Sequence, residues 1–361
     1  MKIASIVGAR PQFIKAACLS KALRAAGEEV LIHTGQHYDR ALSSVIFQQL
    51  DIPEPDYRLG AGSDTHARQT ARMLEGIEAV LIKERPQLAV VFGDTNSTLA
   101  ASLAAAKLRI PVAHVEAGLR SYNKQMPEEI NRIVTDHLSA LLFCPSDNAV
   151  NHLAREGIVD GVYQVGDLMY DCVLAFRSTA LAQSRVLQEL EVQPRQYALA
   201  TVHRAENTDN REKLLAILSA LANLGTTVVL PLHPRTLSYI KKWRLQHYLA
   251  SPALQVCSPL PYLDMLCLLH HAEAVLTDSG GLQKEAYMMQ VPCVTLRGET
   301  EWGETVLTGW NKLAPPHSIP SIVSAFESIE IPDSCPPLFG DGQTAHAIVR
   351  HIKEYLLGTR A

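Results

Sequence analysis

Short apolar runs rich in β-branched residues alternate with longer helical patterns along almost the whole chain. In the first half, the pattern predicts strands at residues 2–8, 29–34, 88–93, 111–116, 141–145 and 162–166, and helices at 11–26, 67–84, 95–108 and 128–140. In the second half it predicts strands near 197–202, 227–232, 254–258, 274–277 and 292–296, with helices between them. Apolar strands that alternate with helices are typical of parallel sheets covered on both faces, so the chain is predicted to be an α/β protein.

The length of the chain, 361 residues, favours two domains over one. We predict a boundary at Gly166-Asp167, which gives a first domain of residues 1–167 and a second of 168–342. A last helical pattern begins at Gln343, and the remaining segment is 343–361.

Composition narrows the class of protein. A net charge of −4 gives no basic field, so we expect no nucleic-acid partner. No apolar run reaches about 18 residues, so we expect no membrane span, and the N-terminus runs directly into a strand pattern, which favours a cytoplasmic location. The seven cysteines form no CxxC pair and no cluster with zinc spacing, so we expect no bound metal.

The turn after the first strand reads Gly8-Ala9-Arg10-Pro11. It places Arg10 and Lys15 near a helix N-terminus, where free amides and the helix dipole favour an anion. An ordinary strand–helix turn with solvated cations is the alternative. The turn is not GxGxxG, so the fingerprint of a nicotinamide dinucleotide site is missing and we expect no such cofactor.

Carboxylates follow the next strands. Asp94 comes after strand 88–93, Glu116 closes strand 111–116, and Glu128 and Glu129 open a helix. Helix capping is the structural alternative for Asp94, and dipole complementation is the alternative for Glu128 and Glu129. Several carboxylates in one site push their pKa values apart, which suits acid and base catalysis.

The second half offers a histidine and a glycine-rich turn at its strand ends. His203 follows strand 197–202 and is a candidate acid, base or phosphate ligand, although a lone histidine is more often structural. In the turn after strand 274–277, Ser279, Gly280 and Gly281 can approach a phosphate, and Glu285 can accept from ribose hydroxyls.

Taken together, six segments of the chain resemble the non-hydrolysing UDP-N-acetylglucosamine 2-epimerases in order and spacing. They are GARPQFIK at 8–15, GDTNST at 93–98, HVEAGLR at 114–120, PEEINR at 127–132, HRAEN at 203–207 and TDSGGLQKEA at 277–286. The resemblance implies two Rossmann-like domains that face each other across a cleft (the glycosyltransferase-B architecture), a C-terminal helix that completes the first domain, and a homodimer.

The resemblance also implies a reaction and its residues. UDP is eliminated to give 2-acetamidoglucal and is then added back after C2 is protonated on the other face. The acid–base candidates are Asp94, Glu116 and Glu128; Lys15 orders these carboxylates and His203 assists near the diphosphate. The groups that would bind UDP are Arg10, Ser279, Gly280, Gly281 and Glu285.

Two departures from the family pattern bear on specificity. Trp302 stands where much of the family has an arginine, in a context that looks like the branch acting on UDP-2,3-diacetamido-2,3-dideoxyglucuronate. The carboxylate of such a uronate would need donors, and Arg120, Asn123, Lys124 and Arg204 are the candidates. The second departure, Gln36-His37-Tyr38-Asp39 in place of Gln-His-Arg, puts activation by a second UDP-sugar in doubt.

Three alternatives stay open from sequence. A hydrolysing relative would release N-acetylmannosamine and UDP, and a glycosyltransferase would share the fold and the UDP site. A non-catalytic sensor of UDP-sugars would not need this many carboxylates.

Overall fold

The computed structural model describes residues 1–36 and 46–358, and it divides into two compact units. The first unit comprises Met1–Ala175 and a returning segment that begins at Pro337, and the second comprises Phe176–Pro336.

Within the described residues, seven parallel strands form the sheet of the first unit, in the order β3-β2-β1-β4-β5-β6-β7. The strands are Lys2–Val7 (β1), Glu28–His33 (β2), Tyr57–Arg58 (β3), Leu88–Phe92 (β4), Val112–Val115 (β5), Leu141–Cys144 (β6) and Val162–Gln164 (β7). All five residues of β4 are buried, because helices cover both faces of the sheet. The chain order reverses between β1 and β4, and sheets of this kind bind ligands beyond the carboxyl ends of the strands at such a switch point.

Helices connect these strands. They are Arg10–Ala26 (α1), His66–Glu84 (α2), Asn96–Lys107 (α3), Pro127–Leu138 (α4), Asp147–Arg155 (α5) and Leu168–Gln183 (α6). The face of α3 that packs near α2 and the sheet is made of fully buried alanines, Ala100, Ala101, Ala104 and Ala105. Small side chains let the helix approach closely without a void.

The second unit repeats the topology. In the described part of the chain, its sheet has six parallel strands in the order β10-β9-β8-β11-β12-β13, with the reversal between β8 and β11. The strands are Tyr197–Thr201 (β8), Thr227–Pro231 (β9), Leu254–Cys257 (β10), Ala274–Thr277 (β11), Cys293–Thr295 (β12) and Asn311–Leu313 (β13).

Helices also alternate with these strands, around a core that includes Ile217, Leu230 and Ile322. They are Val186–Glu189 (α7), Ala205–Thr208 (α8), Arg211–Leu221 (α9), Pro234–Lys242 (α10), Tyr262–His271 (α11), Gly280–Met288 (α12), Gly303–Leu307 (α13) and Ile319–Glu327 (α14), with a 3₁₀ turn at Gln246–Ala250.

The last helix, Thr344–Gly358 (α15), packs against α1 in the first unit. The carboxylate of Asp171 accepts the backbone amides of Thr344 (3.2 Å) and Ala345 (2.8 Å), so it caps this helix, and burial raises the pKa of Asp171. These contacts attach the start of α6 to the first unit. The division therefore falls after Ala175, inside α6, and not at 167 as the sequence suggested.

The sequence-based prediction of two Rossmann-like domains is confirmed, and every predicted strand is present. The prediction missed β3 and β13, which have two and three residues. No helix in the part of the chain that the structure describes is long and apolar enough to cross a bilayer.

Candidate active site

The turn between β1 and α1 is held by a side chain that the sequence did not single out. Gln12 is buried, and its carbonyl oxygen accepts the amides of Gly8 (2.7 Å) and Ala9 (3.0 Å). Its amide nitrogen donates to the carbonyl of Phe92 (2.7 Å) and to the hydroxyl of Thr95 (2.9 Å). Two amides of this turn are therefore already hydrogen-bonded, and the same side chain fixes the turn after β1 to the turn after β4.

Asp94 lies in that second turn and is not the helix cap. Thr95 caps α3 by accepting the amide of Thr98, which leaves the Asp94 side chain for another partner. The guanidinium of Arg132 donates to Asp94 at 2.5 Å, and Asn131 donates to the Asp94 carbonyl at 2.9 Å. The start of α4 is thereby attached to the Asp94 turn.

Glu116, directly after β5, forms an ion pair with Lys15, in the second turn of α1. Their side chains are 11% and 5% exposed, so each charge compensates the other in a largely dehydrated place. A Cβ atom added at Gly93 would lie 3.1 Å from a Glu116 carboxylate oxygen, which shows that Glu116 lies against the residue before Asp94. Glu116 has a left-handed backbone (φ 70°), a strained conformation of the kind found at functional sites.

The two glutamates at the start of α4 have different surroundings. Glu129 is buried and accepts the amides of Ser121 (2.9 Å) and Tyr122 (2.8 Å), so it fixes a loop. Glu128 is half-buried and makes no hydrogen bond or ion pair with any residue that the structure describes. Of the pair, Glu128 is the one available for chemistry.

A buried charged network under these turns was missed at the sequence level. His114 contacts Asp136 at 2.7 Å, Asp136 contacts Arg120 at 2.7 Å, and Arg120 donates to both oxygens of Glu156. Burial alone would raise the pKa of Asp136, but His114 and Arg120 hold it below its ordinary value. The spacing of His114 and Asp136, on a strand and on the next helix, gave no periodic signal.

The network corrects one prediction. Arg120 was a candidate donor for a uronate carboxylate, but its side chain is fully buried and is committed to Asp136, Glu156 and the Leu119 carbonyl. Lys124 is exposed, and Asn123 is half-buried in the following loop. The first unit thus pairs Lys15 with Glu116, beside the residue before Asp94, and attaches Asp94 to the helix that Glu128 opens, while half-buried Arg10 starts α1.

In the second unit, a buried carboxylate organises the turns after β8 and β11. Asp278 is fully buried and accepts the backbone amides of His203 (3.0 Å) and Arg204 (3.0 Å) and the side-chain amide of Asn207 (3.1 Å). The His203 ring stays 38% exposed, with its Nδ1 atom 3.5 Å from Asp278. The sequence pointed to His203, but a role for Asp278 needed the tertiary structure.

The glycine-rich turn opens α12 as expected. Ser279 is the N-cap, and its hydroxyl oxygen accepts the amide of Leu282 at 3.4 Å. Because a hydroxyl can accept and donate at once, Ser279 can still donate a hydrogen bond. Gly280 and Gly281 form the first turn of the helix, and Glu285 is half-buried one turn later.

Three polar side chains surround Gly280. A Cβ atom there would lie 3.6 Å from the indole nitrogen of Trp302, 3.6 Å from a carboxylate oxygen of Glu301 and 3.7 Å from a guanidinium nitrogen of Arg204. Trp302 is buried, and the ammonium of Lys284 lies 4.1 Å from the centre of its ring. This cation–π contact places a buried positive charge beside Trp302, the residue that replaces the arginine found in much of the family.

Among residues 1–36 and 46–358, no group of histidine, cysteine and carboxylate side chains is arranged to hold a metal ion. His37, Tyr38 and Asp39, from the second departure, lie outside the described residues. Gln36 lies within them and accepts the amide and the hydroxyl of Ser97.

Comparison with known proteins identifies the family of the chain. The family model described as UDP-N-acetylglucosamine 2-epimerase matches residues 21–353. The chain belongs to this family. The predicted resemblance and the predicted class of enzyme, a UDP-sugar 2-epimerase, are thereby confirmed.

Among its relatives, a UDP-N-acetylglucosamine 2-epimerase homolog of Methanococcus maripaludis is 47% identical over 98% of this chain and 99% of that protein. The UDP-2,3-diacetamido-2,3-dideoxy-D-glucuronate 2-epimerase of Pseudomonas aeruginosa is 45% identical, with 98% and 99% of the two chains covered. Among solved structures, the Methanocaldococcus jannaschii UDP-GlcNAc 2-epimerase in complex with UDP-GlcNAc and UDP gives a TM-score of 0.93 at 40% identity, covering 98% of this chain and all of that one.

Proposed function

We propose that this protein inverts C2 of UDP-N-acetylglucosamine by eliminating UDP and adding it back. The observation that supports this most directly is the carboxylate group at the switch point of the first sheet. Two of its members, Asp94 and Glu116, are held by cations, and Glu128 is not held by any described residue. Membership of the epimerase family supports the reaction class.

The chemistry explains why such a group is needed. The C2 proton is not acidic, because no carbonyl group at C1 or C3 stabilises a carbanion. When the C1–O bond breaks, its electron pair leaves with UDP, the C2 proton passes to a carboxylate, and a C1=C2 double bond forms. In the return step C2 is protonated from the other face and a UDP oxygen attacks C1. Each direction needs one group that removes a proton and one that delivers it.

We assign these two tasks to Glu116 and Glu128. Glu116 is fixed by Lys15, and a neighbouring cation favours the carboxylate form that a base requires. Glu128 has no cation beside it in the described part of the chain, which suits a group that carries a proton to the opposite face. Asp94, oriented by Arg132, completes the group.

The second unit is proposed to hold UDP. The Ser279 hydroxyl and the amides of Gly280 and Gly281 open α12, and a helix N-terminus is a good phosphate site. Glu285 would accept from the ribose hydroxyls. His203, at the end of the neighbouring strand β8, would stabilise the departing diphosphate.

The reaction can be tested by proton NMR in deuterated water with UDP-N-acetylglucosamine. Both the product and the recovered substrate should carry deuterium at C2, since the abstracted proton exchanges with solvent. An epimerised product that retains its original C2 proton would exclude elimination. Accumulation of free N-acetylmannosamine and UDP would instead identify a hydrolysing enzyme.

A second candidate substrate is UDP-2,3-diacetamido-2,3-dideoxyglucuronate, which is favoured by Trp302 at the arginine position and by the Pseudomonas relative. Arg120 is committed to the buried network. Of the candidate donors in the first unit, exposed Lys124 is then the remaining cation. One charge-assisted contact would favour the uronate by about 1.5–3 kcal/mol, or roughly tenfold to a hundredfold.

Specificity constants for the two UDP-sugars decide between these substrates. A preference of about tenfold or more for the neutral sugar excludes the uronate as the substrate and does not contradict the proposed 2-epimerase reaction. If the uronate is preferred, Lys124→Met should reduce that preference, while Lys107→Met, a change at the end of α3, should not.

We also propose that the enzyme is a homodimer, as its resemblance to the family implies. Exposed apolar side chains in the first unit, such as Ile82 and Ile130, are compatible with a partner surface. Sedimentation equilibrium of the purified chain measures the mass directly, and a monomer at micromolar concentration would refute the dimer.

A further inference from the structure

His114 lies at the third position of β5, and its side chain is fully buried. Both of its ring nitrogens contact an oxygen: Nδ1 lies 2.7 Å from the Asp136 carboxylate and Nε2 lies 2.7 Å from the Gly93 carbonyl. A carbonyl oxygen can only accept a hydrogen bond, so Nε2 must carry a hydrogen.

Whether Nδ1 also carries a hydrogen depends on whether Asp136 is ionised. Its carboxylate also accepts from the Arg120 guanidinium at 2.7 Å and from the Gly118 amide at 3.2 Å. These two donors, one of them a guanidinium cation, favour the ionised form of the buried carboxyl group, which accepts hydrogen bonds and donates none. Nδ1 must then carry a hydrogen as well.

We propose that His114 is an imidazolium in the folded protein and that its ion pair with Asp136 positions the acid–base group. The first half stands on geometry alone, and the second half rests on the proposed epimerase reaction. His114 and Asp136 are thus positioning residues.

The contacts of the pair explain how it would act. His114 holds the carbonyl of Gly93, the residue before Asp94, and Asp136 holds the amide of Gly118, two residues after Glu116. The backbone is left-handed at Gly93 (φ 60°), Glu116 (φ 70°) and Gly118 (φ 80°). The glycines adopt this conformation without strain, but Glu116 keeps it only where its surroundings hold it, and the ion pair is attached to the turn of Glu116 and to the turn before Asp94.

The second cation on Asp136 has a counter-charge of its own. Arg120, on the far side of Asp136, donates to Glu156, whose side chain is 28% exposed. The chain of alternating charges therefore ends near solvent, and a buried imidazolium is not left without a counter-charge.

Neutron diffraction from crystals of the deuterated wild-type protein at neutral pH tests the protonation state without any substitution. We expect deuterium on both Nδ1 and Nε2 of His114 and none on the Asp136 carboxyl oxygens. A map with deuterium on only one ring nitrogen would overturn the proposal.

Steady-state kinetics with UDP-N-acetylglucosamine tests the positioning role. His114→Gln should lower kcat by roughly tenfold to a hundredfold, because a small displacement of the reacting groups is enough to do so. KM should change by less than about threefold, since no UDP-binding group is touched. The control His137→Gln changes an exposed histidine on α4, next to Asp136, and should leave kcat unchanged.

If His114→Gln does not fold, Asp136→Asn serves instead. An asparagine amide can donate to a neutral Nδ1, so ring-¹⁵N NMR should show His114 changing from two protonated nitrogens to one, with a fall in kcat. A kcat equal to that of the control in either folded variant would overturn the positioning role. A wild-type protein that turns over neither UDP-sugar would refute the proposed function and leave the neutron result standing.

Discussion

At the switch point of the first sheet, Glu116 and Lys15 are paired in a place that is nearly dehydrated. At the corresponding point of the second sheet, Ser279 and the Gly280 amide open a helix, and a single buried carboxylate, Asp278, organises the backbone around them. Apart from the additional β7 of the first sheet, the two sheets have the same strand order, so topology does not account for the difference.

The comparison shows that the fold supplies positions and the strand-end residues supply chemistry. Charged side chains held by other charges suit proton transfer, where a base must keep a fixed place and state. Amides and hydroxyls around glycine suit a phosphate, which needs donors at close range. If this division of tasks holds, substitutions in the two units should change different measured quantities.

Glu116→Gln should have the largest effect. Loss of a positioned acid–base group typically lowers the rate by 10²–10⁴-fold, so we expect a fall in kcat of roughly that size with little change in the UDP dissociation constant. Turnover by NMR and UDP binding by calorimetry measure the two quantities. The control Glu75→Gln replaces an exposed glutamate on α2 and should be neutral. Equal losses of turnover and of UDP affinity would contradict the division of tasks between the two units.

Lys15→Met should affect stability as well as activity. It leaves the Glu116 carboxylate without its cation in a site where only 11% of the side chain is exposed, and breaking a buried pair costs about 3–5 kcal/mol. Urea unfolding measures the loss. The double variant Lys15→Met/Glu116→Gln should recover part of it, because no charge is left unpaired. A double variant as unstable as the sum of the single ones would show that the pair is not the cause.

Glu285→Ala should act on the nucleotide. Loss of hydrogen bonds between a charged acceptor and the ribose would weaken UDP binding by about 1.5–3 kcal/mol. Calorimetric titration of the folded variant measures this, with Glu273→Ala before β11 as the control in the same unit. An unchanged UDP affinity would remove Glu285 from the site.

The smallest expected effect is a loss of stability at acidic pH that arises in the second unit. Desolvation of the half-buried His270, with Arg177, His271 and Arg195 adding to it, lowers its pKa to about 4. Between about pH 6.5 and that value the unfolded chain binds a proton and the folded one does not, so stability falls as the pH falls. With solvent screening we expect a loss of about 1 kcal/mol, seen by urea unfolding at the two ends of this window. In His270→Gln this part of the pH dependence should disappear; if it persists, another group is responsible.

Much of the site could be predicted from sequence because its residues follow strands. Asp94, Glu116, His203 and Ser279 each stand directly beyond a strand whose apolar run is plain in the chain, and parallel strands bring their carboxyl ends to one edge. Arg120 was misjudged because proximity in sequence to Glu116 says nothing about which direction a side chain takes. Burial turned it toward Asp136 and Glu156.

The sequence by itself determined the alternation of strands and helices, the glycine-rich turn and the family, because each of these depends on residues that are neighbours along the chain. Only the tertiary structure decided which charges are paired. Lys15 meets Glu116 across 101 positions, and the Asp278 carboxylate reaches the His203 amide across 75. Contacts at such separations depend on how strands and helices pack, and a local sequence pattern does not predict that packing.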